Sequence, residues 1–305
     1  MNVNLNLPIE LGVIHQDICG LKSQVAALAQ PDPQTPLAVI GFTADAGEIG
    51  GPQTDASARL QSFIPNAVFF GGDNIYDGAV TADKLNAAWA AFSWAVAKKI
   101  AFPAIGNHDR DGDPTGAFTV NKFASETGGN SYYSVRIGNA EFFVLDDGID
   151  TDGDSVSTDL TDIRHAQYWW LSNAIRSSAA LFKVVVIHHP FVSTAEDQTF
   201  TSLDWNFESL GIDLVLSGHV HGAEHFMRQG MHILNNGSVN TEKYEMNVGL
   251  FGTTDATQLI WVDTSAGGSE SVSSVVKITV YPRKLWVENV RVSNGQILHS
   301  FGIHR

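Results

Sequence analysis

Five stretches of this chain run through consecutive apolar residues and then stop at aspartate, asparagine or histidine: LAVIGFTAD, NAVFFGGD, KIAFPAIGNHD, LFKVVVIHHP and IDLVLSGHVH. A strand with one wet face alternates apolar and polar side chains, whereas a strand covered on both faces has no such need. The five runs therefore predict central strands of sheets enclosed between other layers. Between them, Leu60, Phe63 and Ile64, then Leu85, Trp89, Phe92 and Val96, then Ile163, Trp170, Leu171 and Ala174 recur at roughly helical spacing. Strands alternating with helices in this way predict a layered α/β architecture. From Gln258 onward the pattern changes, and LIWVD, SVVKITVYP and KLWVENVRVSNGQILHSFGI read as strands, the last pair joined by an Asn294-Gly295 turn.

Ahead of these elements stands a different segment. Leu11, Ile14, Ile18, Leu21, Val25 and Leu28 fall at alternating spacings of three and four, and AQPDPQTP follows as a stiff linker. Residues 1–36 are thus expected to be a helix and proline linker, and 37–305 the main domain. The seam also fits packing against that domain. Isoleucines at both core positions of the seam favour a homotrimer through residues 11–28 over other assemblies.

Composition removes several classes of function. A formal charge of −15 repels polyanions, and no basic run offsets it, so no nucleic-acid partner is expected. Cys19 is the single cysteine, which excludes an intramolecular disulfide and a thiolate metal cluster. No stretch approaches the ~20 apolar residues of a membrane span. MNVNLNLPIELG lacks the basic start and apolar centre of a secretory signal.

The residues that end the apolar runs carry the chemistry: Asp45; Asp73 with Tyr76; Asn107 with His108; His188 with His189; and His219 with His221. The carboxyl ends of strands in open α/β sheets are where ligands bind. Carboxylate, imidazole, amide and phenol donors without thiolate suit iron, manganese or zinc. So many donors exceed the needs of one ion. Two ions about 3.5 Å apart, sharing an aspartate, form the arrangement that clamps both oxygens of a phosphate-ester displacement.

DAG at Asp45, GDNIY at Gly72, GNHD at Gly106, VVIHHP at Val185 and GHVH at Gly218 resemble, in order, the five motifs of the calcineurin-like metallophosphoesterases. The tyrosine of the second motif and the glycine two residues after Asp45 are similar to the purple acid phosphatase branch. That resemblance implies a four-layer αββα sandwich of two mixed sheets flanked by helices, with the all-β tail completing the second sheet. It implies one metal ion on Asp45, Asp73, Tyr76 and His221, and another on Asp73, Asn107, His188 and His219. Asp73 would bridge them, with Fe(III) favoured beside Tyr76 and Fe(II), Zn or Mn on the other side. His108 would contact phosphate, and a hydroxide formed on the metals would attack a small phosphomonoester. The alternatives are a phosphodiesterase of the same fold, or a trimeric surface or fibre component whose domain serves recognition. An extracellular or periplasmic location is what the resemblance allows.

The chain departs from that family in two places. Ala44 stands where a glycine usually precedes the aspartate, and Asp197 stands where many purple acid phosphatases place a histidine. The proton donor to the leaving group is therefore open among His189, His108 and a protonated Asp197. Residues 146–154 read as a solvated acidic loop, Asn236-Gly-Ser as a glycosylation sequon, and Glu224, His225 and His165 as surface groups or groups beside the metal ligands.

Overall fold

In the computed structural model, which describes residues 35–76, 78–148, 166–195, 205–247, 257–266 and 271–305, the apolar runs divide their side chains between separate cores. The first elements are β1 (Ala38–Thr43), α1 (Gly51–Ser62), β2 (Ala67–Phe70), α2 (Ala82–Ala88), α3 (Ser93–Ala97) and β3 (Ala101–Pro103). There follow α4 (Ala117–Lys122), α5 (Ala124–Thr127), β4 (Tyr133–Ile137), β5 (Ala140–Val144), α6 (Ala166–Ser177), β6 (Phe182–Ile187), α7 (Phe207–Leu210) and β7 (Leu214–Ser217). The chain ends in β8 (Ala223–Arg228), β9 (Met231–Asn236), β10 (Thr257–Val262), β11 (Ser274–Tyr281), β12 (Lys284–Arg291) and β13 (Ile297–His304).

Among the described residues these strands form a six-stranded sheet, ordered β13-β12-β11-β1-β2-β3, and a seven-stranded sheet, ordered β10-β8-β9-β7-β6-β5-β4. Ala67 and Phe69 of β2 face the core between the sheets, where Phe69 stacks on Phe142 of β5 at 4.3 Å. Val68 and Phe70 face the opposite way, against Leu60 of α1, Leu85 of α2 and Trp89. In β6, Phe182, Val184 and Val186 point into the central core while Val185 and Ile187 meet Leu171 and Ile175 of α6. Both faces are dry, which is why the runs do not alternate. The expected four layers are present. Each fully buried phenylalanine contributes roughly 1.5–3 kcal/mol through removal of its ring from water.

Strand direction then gathers the site. β1, β2 and β3 run parallel in one sheet, and β5, β6, β7 and β9 run parallel in the other. Their carboxyl ends meet at one rim of the sandwich.

Several expectations are corrected. The tail is split between the sheets: β10 pairs with β8, whereas β11 to β13 join the sheet that carries β1. Helical spacing from Leu85 to Val96 is shared by two short helices, with Trp89 and Phe92 buried at their joint. Ile64 lies beyond the end of α1 with φ 52° and is 82% exposed, so it belongs to no buried helix face. Asn236 is buried and hydrogen-bonded to Ser238 and Ser274, which leaves no room for a glycan in the folded chain. The segment through residue 34, the oligomer expected from it, and His165 lie outside the described residues.

Glu224 and His225 are not on the surface. Glu224 is fully buried and accepts the backbone and hydroxyl hydrogen bonds of Thr194. His225 sits between the sheets, with its ring nitrogens 2.9 Å from His299 of β13 and 2.9 Å from His232 of β9. Burial, then repulsion from the other two imidazoles, pushes His225 down to about 3, and burial, then His299, pushes His232 down to about 4. The unfolded chain takes up protons near the ordinary histidine value of about 6.5, before the folded chain does. The cluster is therefore without effect above pH ~6.5 and destabilises the fold progressively as pH falls toward ~3. Urea denaturation at about pH 7 and about pH 4.5 should show this loss, and His225→Gln should lessen it.

Candidate metal centre and active site

Asp45, one residue past Ala44 at the end of β1, adopts φ 55°, and Asp73 after β2 adopts φ 52°. His219 after β7 has φ 64°. Left-handed backbone at residues with side chains is costly and concentrates at functional sites. Here it turns three polar side chains back over the strand ends. Gly72, at φ 90°, permits a close approach: a Cβ there would lie 2.4 Å from Nδ1 of His188.

Asp73 is 2% exposed and its two oxygens face different partners. Oδ2 accepts from the Tyr76 hydroxyl at 3.1 Å. That hydroxyl also lies 3.2 Å from Oδ1 of Asp45 and 3.4 Å from Nε2 of His221, and His221 Nε2 is 3.5 Å from the same Asp45 oxygen. Oδ1 of Asp73 is 3.3 Å from Nε2 of His188, which in turn is 2.9 Å from Oδ1 of Asn107. Nδ1 of His219 lies 3.2 Å from that same Asn107 oxygen. Two groups of donor atoms thus share Asp73. Asp45, Asp73 and His188 each offer a ligand atom within 4.8 Å of one another, as do His188, His189 and His219.

These residues fit metal ions by the chemistry of the donors. The Asp45 and Asp73 carboxylates converge on the Tyr76 phenol, and among the described residues no lysine or arginine is hydrogen-bonded to either carboxylate. Burial, then the charges of Asp73 and Asp45, drives the Tyr76 phenol well above its ordinary value. A bound cation reverses that field. Burial and the neighbouring imidazoles of His189 and His188 hold His219 well below the ordinary histidine value, so it stands neutral, as a ligand must. Nδ1 of His188 is 2.7 Å from the Gly71 carbonyl, a contact that orients Nε2 toward Asp73 and Asn107.

In the ion-free protein burial lowers the His188 pKa, but the adjacent Asp73 more than offsets this and raises it to about 10. Burial raises Asp73 in turn, and His188 overcomes this to hold it well below the usual carboxylate range. The His188 charge stabilises the ion-free fold fully below pH ~6.5, and the contribution disappears as pH rises through about 10. A cation at Nε2 must displace that proton. Metal uptake near neutral pH should therefore release protons, and affinity should rise about tenfold per pH unit for each proton displaced. Titration of metal into weakly buffered ion-free protein, followed by pH electrode, checks this. Uptake without proton release would show that Nε2 receives no ion.

His108 donates its backbone N–H to Oδ1 of Asp73 at 3.0 Å, and its side chain is 34% exposed beside Tyr76. His189 lies next to His219, ring centroids 4.1 Å apart. Asp197 lies outside the described residues.

Four residues of the site were not anticipated from the sequence. Oδ2 of Asp147, after β5, lies 2.8 Å from both the backbone nitrogen and Nδ1 of His189. Burial raises the Asp147 pKa, and His189 overcomes this to hold it well below the usual range. Asp109 ties the turns after β2 and β3 together by accepting from Gly106, Asn74 and Thr119. Burial, then Asp73, raises Asp109 to about 6. Asn240 lies beside the Tyr76 phenol and opposes the rise in its pKa. The Tyr244 ring stacks on His221 at 4.4 Å. AEFFVLDD carries the same signal as the five runs and could have revealed Asp147. Asn240 and Tyr244 lie in a loop without any such pattern.

Two mixed sheets, helices outside, and a rim of converging carboxylates and imidazoles define a metallophosphoesterase architecture. The family model for calcineurin-like phosphoesterases matches residues 38–223, more than half of the chain, and the protein belongs to that family. Purple acid phosphatase PPD1 from yellow lupin seeds is similar in structure, with a TM-score of 0.67 at 17% identity over 89% of this chain. This chain spans 55% of the lupin protein. GAP50, the anchor in the inner membrane complex of Plasmodium, gives a TM-score of 0.61 at 14% identity, covering 88% of each chain. A dimetal phosphatase from Danio rerio gives 0.51 at 12% identity, covering 88% of this chain and 99% of that one. At such identities the likeness establishes the fold. No curated protein sequence matches the chain. Among the described residues, no helix is long and apolar enough to cross a membrane.

Proposed function

We propose that the protein is a binuclear metal-dependent phosphomonoesterase of the purple acid phosphatase type. The observation that carries this is Asp73, whose two carboxylate oxygens face two separate groups of donors. Asp45, Asp73, Tyr76 and His221 would hold one ion, with Fe(III) favoured by the phenol. Asp73, Asn107, His188 and His219 would hold the other, as Fe(II), Zn or Mn. Bound ions supply an acidified water and neutralise charge on the phosphate.

The chain's own residues do the rest. His108, partly exposed above Asp73, donates to a non-bridging phosphate oxygen as charge builds there. Asp147 holds His189 by its Nδ1 edge and fixes the direction of the ring. His189 and Asp197 remain the groups proposed, with His108, to deliver a proton to the leaving group.

Metal-loaded protein assayed on matched mono- and diesters of the same phenol tests the reading. Faster turnover of the diester would replace it with a phosphodiesterase. His108→Ala should lower kcat by about 10²–10³ on every substrate. With iron bound, the protein should absorb visible light through phenolate-to-ferric charge transfer, and Tyr76→Phe should abolish the band while retaining much of the activity. An iron-loaded wild type without that band would show that Tyr76 is not a ligand.

A further inference from the structure

The described part of the loop after β9, residues 237–247, closes one side of the metal centre and is fastened at several points. The Thr241 backbone N–H and hydroxyl donate to Glu48, 3.0 and 2.6 Å away, in the loop that follows Asp45. The Lys243 ammonium donates to the carbonyls of Ser238 and Asn240. Met246 is buried beneath. Between these anchors stands Tyr244, half-buried and stacked on His221 at 4.4 Å with 22° between the ring planes. A continuous row of rings results: His108 on Tyr76 at 4.5 Å, Tyr76 edge-on to His221 at 6.4 Å, and His221 on Tyr244.

Carboxylates outnumber cations at this mouth, where Lys243 is the one basic residue on the described part of the loop. Glu48, Glu242 and Glu245 lie on or against the loop, and Asp111 is 3.4 Å from His108. The nearby cations are committed elsewhere, Lys243 to backbone carbonyls and the buried Arg110 to Asp146 and the Pro114 carbonyl. A leaving group reaching past the metals meets an aromatic wall within an acidic field.

We propose that the face of Tyr244 turned away from His221 is the platform on which the leaving group stacks, and that the substrates are phosphomonoesters of aromatic alcohols or phenols bearing no second anionic group. This rests on the phosphomonoesterase reading above. Aromatic pairs are worth about 0.5–1.5 kcal/mol beyond buried area, which corresponds to a preference of roughly two- to twelve-fold. A second anion gains no partner here and meets repulsion that salt screens.

Benzyl phosphate and cyclohexylmethyl phosphate test the platform, because their leaving alkoxides are of similar basicity and differ in aromaticity. Wild type should favour the benzyl ester in kcat/KM by about three- to ten-fold. Tyr244→Ala should bring the ratio near one, and Tyr244→Phe should keep it. 4-Carboxybenzyl phosphate should be several-fold poorer than benzyl phosphate at low salt, with the gap narrowing as salt is added. Elemental analysis accompanies each variant, and the corresponding phosphonates are compared by direct binding. Equal ratios in wild type and Tyr244→Ala overturn the proposal. Loss of metal from Tyr244→Ala, with both esters suffering alike, also overturns it and assigns Tyr244 to supporting His221. If neither ester is hydrolysed but benzylphosphonate binds more tightly through Tyr244, the platform stands and the hydrolase reading falls.

Discussion

Asp73→Asn is expected to cost roughly 10³-fold or more in phosphoesterase activity and to leave the protein unable to retain two equivalents of metal. The argument is geometric. One oxygen of Asp73 lies 3.1 Å from the Tyr76 hydroxyl and the other 3.3 Å from His188 Nε2, so both donor groups lose an anionic member together. Charge stabilisation by metal ions is worth several kcal/mol at the transition state, and each 1.36 kcal/mol is a factor of ten in rate. The substitution also removes the main influence that raises His188, so the ion-free variant should lose stability at neutral pH. Elemental analysis beside a phosphate-release assay decides the matter. A variant holding two equivalents with near-normal turnover would show that Asp73 bridges nothing.

Gly72→Ala should be nearly as damaging without altering any polar group. Its added Cβ would sit 2.4 Å from Nδ1 and 2.6 Å from Cγ of His188, on a backbone at φ 90° that favours glycine. His188 is fully buried and held by the Gly71 carbonyl, so it has nowhere to retreat. We expect a stability loss of about 2–4 kcal/mol and loss of the ion on the Asn107 side. Gly51→Ala is the control, because a Cβ there meets nothing within 4 Å. Chemical denaturation of the ion-free proteins separates the fold effect from the metal effect. Equal stability of the two variants would show that His188 shifts freely.

The polar ends of the strands were legible because the pattern is local. An apolar run that stops at Asp45 or at His188-His189 announces a covered strand and its exposed tip within about ten residues of chain. Lys183, part-buried within β6, did not obscure the signal because its neighbours Phe182, Val184, Val185, Val186 and Ile187 are all fully buried. The hairpin of β4 and β5 was missed although AEFFVLDD has the same form. β4, YSVRI, alternates apolar and polar residues, as expected at the half-wet edge of its sheet and unlike the five covered runs.

The chain's own order of residues determined the kinds of donor, their placement at strand ends and the layered class of the fold, because each depends on periodicities of a few residues. Tertiary structure alone decided which sheet received each tail strand, since β10 and β11 are equally strand-like and pairing partners lie far along the chain. It alone brought His299 of β13 against His225 of β8, placing His225, expected at the surface or beside the metal ligands, in a buried contact between the sheets. It alone carried Asn240 and Tyr244 to the rim, because β9 runs parallel to β7 and delivers the loop that follows it to the same edge as His219 and His221. Periodicity reports how each segment is covered. Which distant segment provides the cover is settled by long-range pairing, and that is where the second half of this site was decided.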